Sequence, residues 1–183
     1  MLLSGTVAEY ASDDTYLHLT ELTFPTNVSV ISSGNVIDPV VLGVDRTPPR
    51  STVYFKDQFS LETPVDIELI DKKLKPKDRG LDFWESLEGM LVRIPSPRGL
   101  GRTSSYGEVW VVGDKYATHS NARGGLTINV YPGGWDANPE AIRMSKPLDG
   151  IAVPKTVVIG TQFEDIIGVV SYAFVRNRFP PHD

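Results

Sequence analysis

The stretch Leu81–Ile94, Leu-Asp-Phe-Trp-Glu-Ser-Leu-Glu-Gly-Met-Leu-Val-Arg-Ile, constrains the fold more than any other. Phe83, Trp84, Leu87 and Leu91 recur at helical spacing, while Glu85 and Glu88 fall on the opposite face. Asp82 followed by Glu85 matches a capping box with Asp in place of Ser or Thr. Gly89 stands where a left-handed C-terminal cap is wanted, because glycine has no Cβ to clash there. Met90 to Ile94 is apolar, and Pro95 and Pro97 stop the run. The spacing therefore predicts a short helix that turns at a glycine into a buried strand. So short a helix is marginal in isolation. Its aromatic face must be held by packing, so Phe83, Trp84 and Leu87 are expected to plug an opening in a sheet.

The rest of the chain has the character of that sheet. Glycine (16) and proline (14) are rich for a helical protein and suit short strands joined by turns. Leu2–Tyr10 and Tyr16–Leu22 read as a hairpin around Ala11–Asp14, followed by apolar runs at Val28–Ile31 and Pro39–Gly43. Further strands are expected at Val65–Ile70, Glu108–Val112, Thr127–Tyr131, Glu140–Met144 and Val169–Arg178. The charged run Asp71–Arg79 reads as a solvated loop, and Arg98–Gly107 as a flexible basic loop. Gly5-Thr6-Val7-Ala8 is echoed by Gly168-Val169-Val170-Ser171, two bent strands of the kind that small barrels need. The expected fold is mostly β: an elaborated OB-like barrel with one short helix. A single domain would span residues 1–178, with insertions at about 53–79 and 98–158, and residues 179–183 would begin a linker.

Composition excludes several chemistries. There is no cysteine, hence no disulfide framework, thiolate metal site or cysteine nucleophile. The net charge of −5 gives no global attraction to nucleic acid or membranes, which leaves a local basic patch to be considered. No apolar run is long enough to span a bilayer as a helix. Met1-Leu2-Leu3 leads directly into strand-like sequence without a secretory signal, so the chain reads as intracellular or as a piece of a longer protein. The sequon Asn27-Val28-Ser29 is too common a pattern to decide between these. His18, His119 and His182 lack partners at metal-ligand spacing, and no nucleophile elbow, P-loop or dinucleotide fingerprint occurs. The carboxylate pairs Glu85/Glu88 and Glu164/Asp165 read as solvated faces. More informative are Arg93, Arg98, Arg102 and Arg123, which lie near Tyr106, Trp110 and Tyr116. Cations interleaved with aromatic rings are what single-strand binding surfaces use, and glycines beside Arg98 and Arg102 would let backbone amides approach a phosphate. The other reading has these arginines paired with the acidic surplus and Trp110 in the core.

Several segments together resemble a known family. They are Gly5–Tyr10, Tyr16–Leu22, Pro39–Gly43, Gly80–Val92, Tyr106–Val112, Asn121–Gly125, Asn138–Ile142 and Gly168–Tyr172. They resemble the amino-terminal region of large secreted nucleases of the endonuclease/exonuclease/phosphatase superfamily, most closely the fungal ones. The resemblance implies an OB-like module followed by a separate catalytic domain, an extracellular location, and both ends of the chain lying inside a longer protein. Catalysis in that superfamily uses a terminal Asp-His pair, which this chain lacks, so no catalytic residue is carried over. The implied role is that of a non-catalytic accessory module of a nuclease. It would position DNA or RNA through Arg98, Arg102, Tyr106 and Arg123, or dock the catalytic domain, with no membrane partner. No cofactor is expected on this chain, and a divalent metal is expected in the absent catalytic domain. The alternatives are a purely structural scaffold and, last, a stand-alone metal hydrolase built on His119 and Asp114.

Overall fold

The computed structural model describes residues 1–11, 18–49, 74–131, 134–136, 138–145, 147, 150 and 154–172. It is mostly β, with one short helix. The expected turn at 12–14, the strand at 65–70, the run at 71–73, the end of the last strand and the tail at 179–183 lie outside the described residues, as does His182.

The centre is built as its sequence dictates. Helix α1 spans Gly80–Glu85, turns continue to Gly89, and strand β4 follows at Leu91–Ile94. Gly89 has φ +70, but the helix already ends at Ser86, its C-cap in right-handed geometry, so the glycine closes the turn into β4 and does not cap the helix. Phe83 (2% exposed), Trp84 (8%) and Leu87 are buried in one cluster with Leu42, Val92, Ile94, Val109, Val111, Val112, Tyr116, Val157 and Val170. The Phe83 and Trp84 rings meet edge to face at 5.1 Å, and the Arg46 guanidinium lies over Phe83 at 5.4 Å. The Trp84 indole Nε1 donates to the Pro139 carbonyl at 2.8 Å, so the buried ring leaves no polar atom unpaired. The capping box does not form. The N-cap residue is Arg79, whose side chain makes no capping bond. Asp82 lies inside the first turn, where its carboxylate accepts the backbone N–H of Lys75 at 2.7 Å and faces Arg79 at 3.4 Å.

Two small sheets flank this plug. In one, β4 is central, antiparallel to β10 (Ile166–Val169) and parallel to β3 (Val40–Val41). In the other, β6 (Val109–Gly113) is central, antiparallel to β5 (Pro97–Gly99) and β9 (Ile142–Met144). The chain passes from β4 to β5 through Ser96, at φ +41. Asp165 clamps that corner, accepting from Arg93 Nε at 2.7 Å and from the Ser96 N–H at 2.9 Å. Arg98–Gly99 is thus strand, where the sequence read as flexible loop. Gly99 is required for contact, since a Cβ there would lie 2.8 Å from Val157 Cγ1.

The remaining strands make two-stranded ribbons, β1 (Leu2–Tyr10) with β2 (Leu19–Ser29) and β7 (Asn129–Tyr131) with β8 (Gly134–Asp136). Val28–Ser29 ends β2 instead of opening a third strand. The β1–β2 register slips between Leu2 and Ser4 and again before Thr6. Opposite these slips Phe24 and Asn27 adopt positive φ around Pro25, which has no N–H for the ladder. The described strands do not close into a barrel. Those around the core are two to five residues long and split at the Ser96 corner, while the long β1–β2 ribbon stands mostly in solvent. The segment expected as an insertion at 98–158 supplies β5, β6, β9 and much of the core.

Truncating the plug should therefore unfold the domain readily. Phe83→Ala is expected to cost about 3–5 kcal/mol, whereas Val7→Ala on the exposed ribbon should stay within about 0.5 kcal/mol. Urea denaturation midpoints at constant slope check both.

Candidate nucleic-acid interface

One face of the β5–β6–β9 sheet packs on the core, and the other carries Trp110 at its middle. Val109, Val111 and Val112 are buried, whereas Trp110 is 54% exposed. Its cross-strand neighbour is Arg143 of β9, and the Leu100 N–H donates to its carbonyl from the β5 side. Arg143 reaches Glu108 at 3.4 Å. Residues two apart on a strand share a face, so Glu108, Trp110 and Val112 form a row, but Val112 is fully buried in the core cluster and the accessible part runs only from Glu108 to Trp110, about 7 Å. Arg98 lies opposite Val112 at one end of that row.

Arg98 is committed to structure. Its side chain is 12% exposed and pairs with Asp114. Nε donates to the Gly124 carbonyl at 2.7 Å and Nη2 to Ser120 Oγ at 2.5 Å. These bonds draw the turn carrying Arg123 against β5. Asn121 Oδ1 accepts the N–H groups of Arg123 and Gly125, which closes that turn. The Gly99 N–H is used by the Thr161 carbonyl. The Gly99 amide, expected to meet a phosphate beside Arg98, is therefore already bonded.

Arg102 and Arg123 differ from their neighbours. Both are exposed. Among the described residues Arg46, Arg79, Arg93, Arg98 and Arg143 are all engaged through their guanidinium groups. The side chains of Arg102 and Arg123 make no such bond to any described residue. Tyr106, 88% exposed, projects from the loop joining β5 to β6. That loop is ordered: Ser104 Oγ accepts the N–H groups of Tyr106 and Glu108, and Thr103 Oγ1 donates to the Pro154 carbonyl at 2.6 Å. The structure thus brings Arg98 and Arg123 together through the Gly124 carbonyl, sets Arg102 and Tyr106 on the loop at the other end of β6, and places Trp110 between.

Among the described residues no three His, Asp or Glu side chains gather as metal ligands. Asp114 is engaged by Arg98. Pro139, ahead of β9, is the acceptor of the Trp84 indole. Next to it, Glu140 is fully buried, and its Oε1 accepts the Thr118 N–H at 3.0 Å and the Thr118 hydroxyl.

The two carboxylate pairs are not plain solvated faces. The Ser96 N–H, then Arg93, hold the Asp165 carboxyl below its ordinary value. Glu85 and Glu88 line a cleft of about 480 Å³ with Thr20 and Val169–Ser171. Glu88 Oε1 accepts the Thr20 N–H at 3.0 Å and so ties the ribbon to the turns that follow the helix. Burial raises the Glu85 carboxyl above its ordinary value, and the charge of Glu88 raises it further.

The profile of a family described as a domain of unknown function (DUF8508) matches residues 41–179. The chain belongs to this family. The matched span includes the plug, both three-stranded sheets and the Trp110 face, and the β1–β2 ribbon precedes it. No curated protein and no solved structure matches the chain.

Two measurements check these assignments. Arg98→Ala should lower stability by about 1–3 kcal/mol, because the Gly124 carbonyl and Asp114 lose a donor, while Arg102→Ala should leave the melting temperature unchanged. A carboxyl with a raised folded pKa favours the folded state below its unfolded value, 4.5 for Glu85, and loses that contribution as pH rises through the folded value. Glu85→Gln should accordingly flatten the fall in urea midpoint above pH 4.5 and leave the protein more stable at pH 7.

Proposed function

We propose that the chain is a non-catalytic accessory module of an extracellular nuclease of the endonuclease/exonuclease/phosphatase type. In this reading it holds nucleic acid through the Trp110 face while phosphodiester cleavage, with its divalent metal, takes place on a separate catalytic domain. The carrying observation is the pair of uncommitted guanidinium groups. Arg102 and Arg123 lie on two loops at either end of a sheet face bearing an exposed indole, in a chain whose other described arginines are spent internally. Arginine beside aromatic side chains suits the phosphate and base of a nucleic acid strand. The resemblance to secreted nucleases favours that ligand over other anions.

A second observation favours docking of the catalytic domain by another surface. The β1–β2 ribbon and the residues after it expose Leu2, Val7, Leu22, Phe24, Val28, Val30, Ile31, Val36 and Ile37. Exposed apolar side chains gathered along one ribbon are what a docking surface uses, and a two-stranded ribbon is marginal by itself. On this reading the ribbon faces protein and the β5–β6–β9 face remains for nucleic acid. A purely structural scaffold would use the first surface and leave the second idle.

Binding of a fluorescent oligonucleotide over a salt titration tests the proposal. Affinity is expected at low salt and should fall as salt rises. Arg102→Ala and Arg123→Ala should each weaken binding and reduce the logarithmic salt slope by about 0.7 for a single strand. Absence of binding at low salt, or full retention of affinity in the double variant, would remove the nucleic-acid role and leave the scaffold.

A further inference from the structure

Trp110 sits on β6, the central strand of the β5–β6–β9 sheet, and breaks the burial of its neighbours. A tryptophan half in solvent on a central strand is held by a rigid element. Residues adjacent to it in the chain are fixed in the core on the opposite face. Across the sheet it is bounded by Leu100, which is partly buried, and by Arg143, whose guanidinium is held by Glu108. Nothing described covers the exposed half of the ring. Its neighbours along the row are a buried valine and an engaged carboxylate, so no cation is available beside it to contact a phosphate directly. The uncommitted cations lie off both ends, on the Arg123 turn and on the loop of Arg102. An apolar, planar surface on a central strand, between two loops that carry cations, fits a ligand with planar groups along an anionic backbone.

We propose that Trp110 is the base-stacking residue of this face and makes it selective for unpaired over duplex nucleic acid. The inference rests on the nucleic-acid reading above and deepens it. In a duplex each base face is covered by its neighbours in the stack, and the indole has nothing planar to meet except at a terminus. An unpaired strand can turn a base out and lay it on the ring while its backbone runs toward the arginines at either end. The accessible stretch from Glu108 to Trp110, about 7 Å, leaves room for a single stacked base. Stacking tolerates any base, so the selectivity is for strandedness and not for sequence.

The test uses the full chain at low salt with three labelled probes: an eight-nucleotide thymidine strand, a long GC-rich blunt duplex that stays paired at low salt, and an eight-unit abasic deoxyribose-phosphate strand. The last keeps the phosphates and removes the bases. The wild-type protein is expected to prefer the thymidine strand over the abasic strand by about five-fold or more, and over the duplex in the same direction. Trp110→Phe should keep most of that preference. Trp110→Ala should abolish it while leaving affinity for the abasic strand and the melting temperature unchanged. Trp110→Leu keeps apolar cover without a ring face and should behave as the alanine variant does. Equal binding of thymidine and abasic strands by the wild type, or a preference that survives in both Trp110→Ala and Trp110→Leu, would overturn stacking while the arginine contacts stood. Failure of the wild type to bind any of the three probes would remove the nucleic-acid reading and this inference with it.

Discussion

The arrangement of the chain turns on burying the indole of Trp84. Six residues of helix, without a side-chain cap at the start, have no stability of their own. What holds them is the removal of Phe83, Trp84 and Leu87 from water, and that is favourable only if the indole N–H is bonded. The Pro139 carbonyl accepts it. This single bond links α1 to the turn before β9, and Glu140 next to it binds the turn after β6 through Thr118. Helix, β6 and β9 are therefore joined by consecutive residues, and the sheet that carries Trp110 is pinned from beneath by the same plug that closes the core. A sheet face that presents one exposed ring has to be rigid, and here the rigidity comes from below.

The plug was legible in the sequence because its signals are local. A 3.6-residue recurrence of Phe83, Trp84 and Leu87 marks a helical turn with a buried face, and Gly89 marks the turn before β4, although the helix itself ends earlier, at Ser86. The cap was less legible. Asp82 favours a helix start whether it stands before the first turn or inside it, and only the Lys75 N–H, seven residues away, decides between the two. Barrel closure was not legible at all. It depends on strand length and on the direction the chain takes at each bend; Pro95 and Pro97 mark a break at Ser96, but its direction is held by Asp165 and Gln162 from distant sequence. Glycines at Gly5 and Gly168 announce bent strands, but β1 pairs with β2 and β10 with β4, in different sheets.

The same division runs through the candidate interface. Arginine and aromatic composition marked the region between Arg98 and Arg123. Whether a given arginine is spent internally depends on partners remote in sequence: Asp114, Ser120 and Gly124 for Arg98, and Asp165 for Arg93. Sequence grouped Arg98 with Arg102, although the first stitches loops together and the second stands in solvent. Trp110 carried a signal of its own. Val109, Trp110 and Val111 alternate with the strand period, and an aromatic ring between two inward valines faces outward. Hydrophobicity alone places such a ring in the core, and periodicity was the better guide.

The acidic balance of the chain bears on what such a face can do. With a net charge of −5 the long-range field repels a polyanion, and two guanidinium groups offset this only nearby, within a Debye length of about 8 Å at physiological ionic strength. A face of this kind binds weakly by itself, and its contacts form after a strand has already been brought close. That is the regime in which a module tethered to another site is effective, because the linker supplies an effective concentration that intrinsic affinity need not. Weak, sequence-indifferent holding also lets a strand slip past while another site cuts it, which tight binding would prevent. On the proposed reading, the internal pairing of most arginines does more than stabilise the fold: it keeps this surface from competing with the catalytic domain for the substrate that both must share.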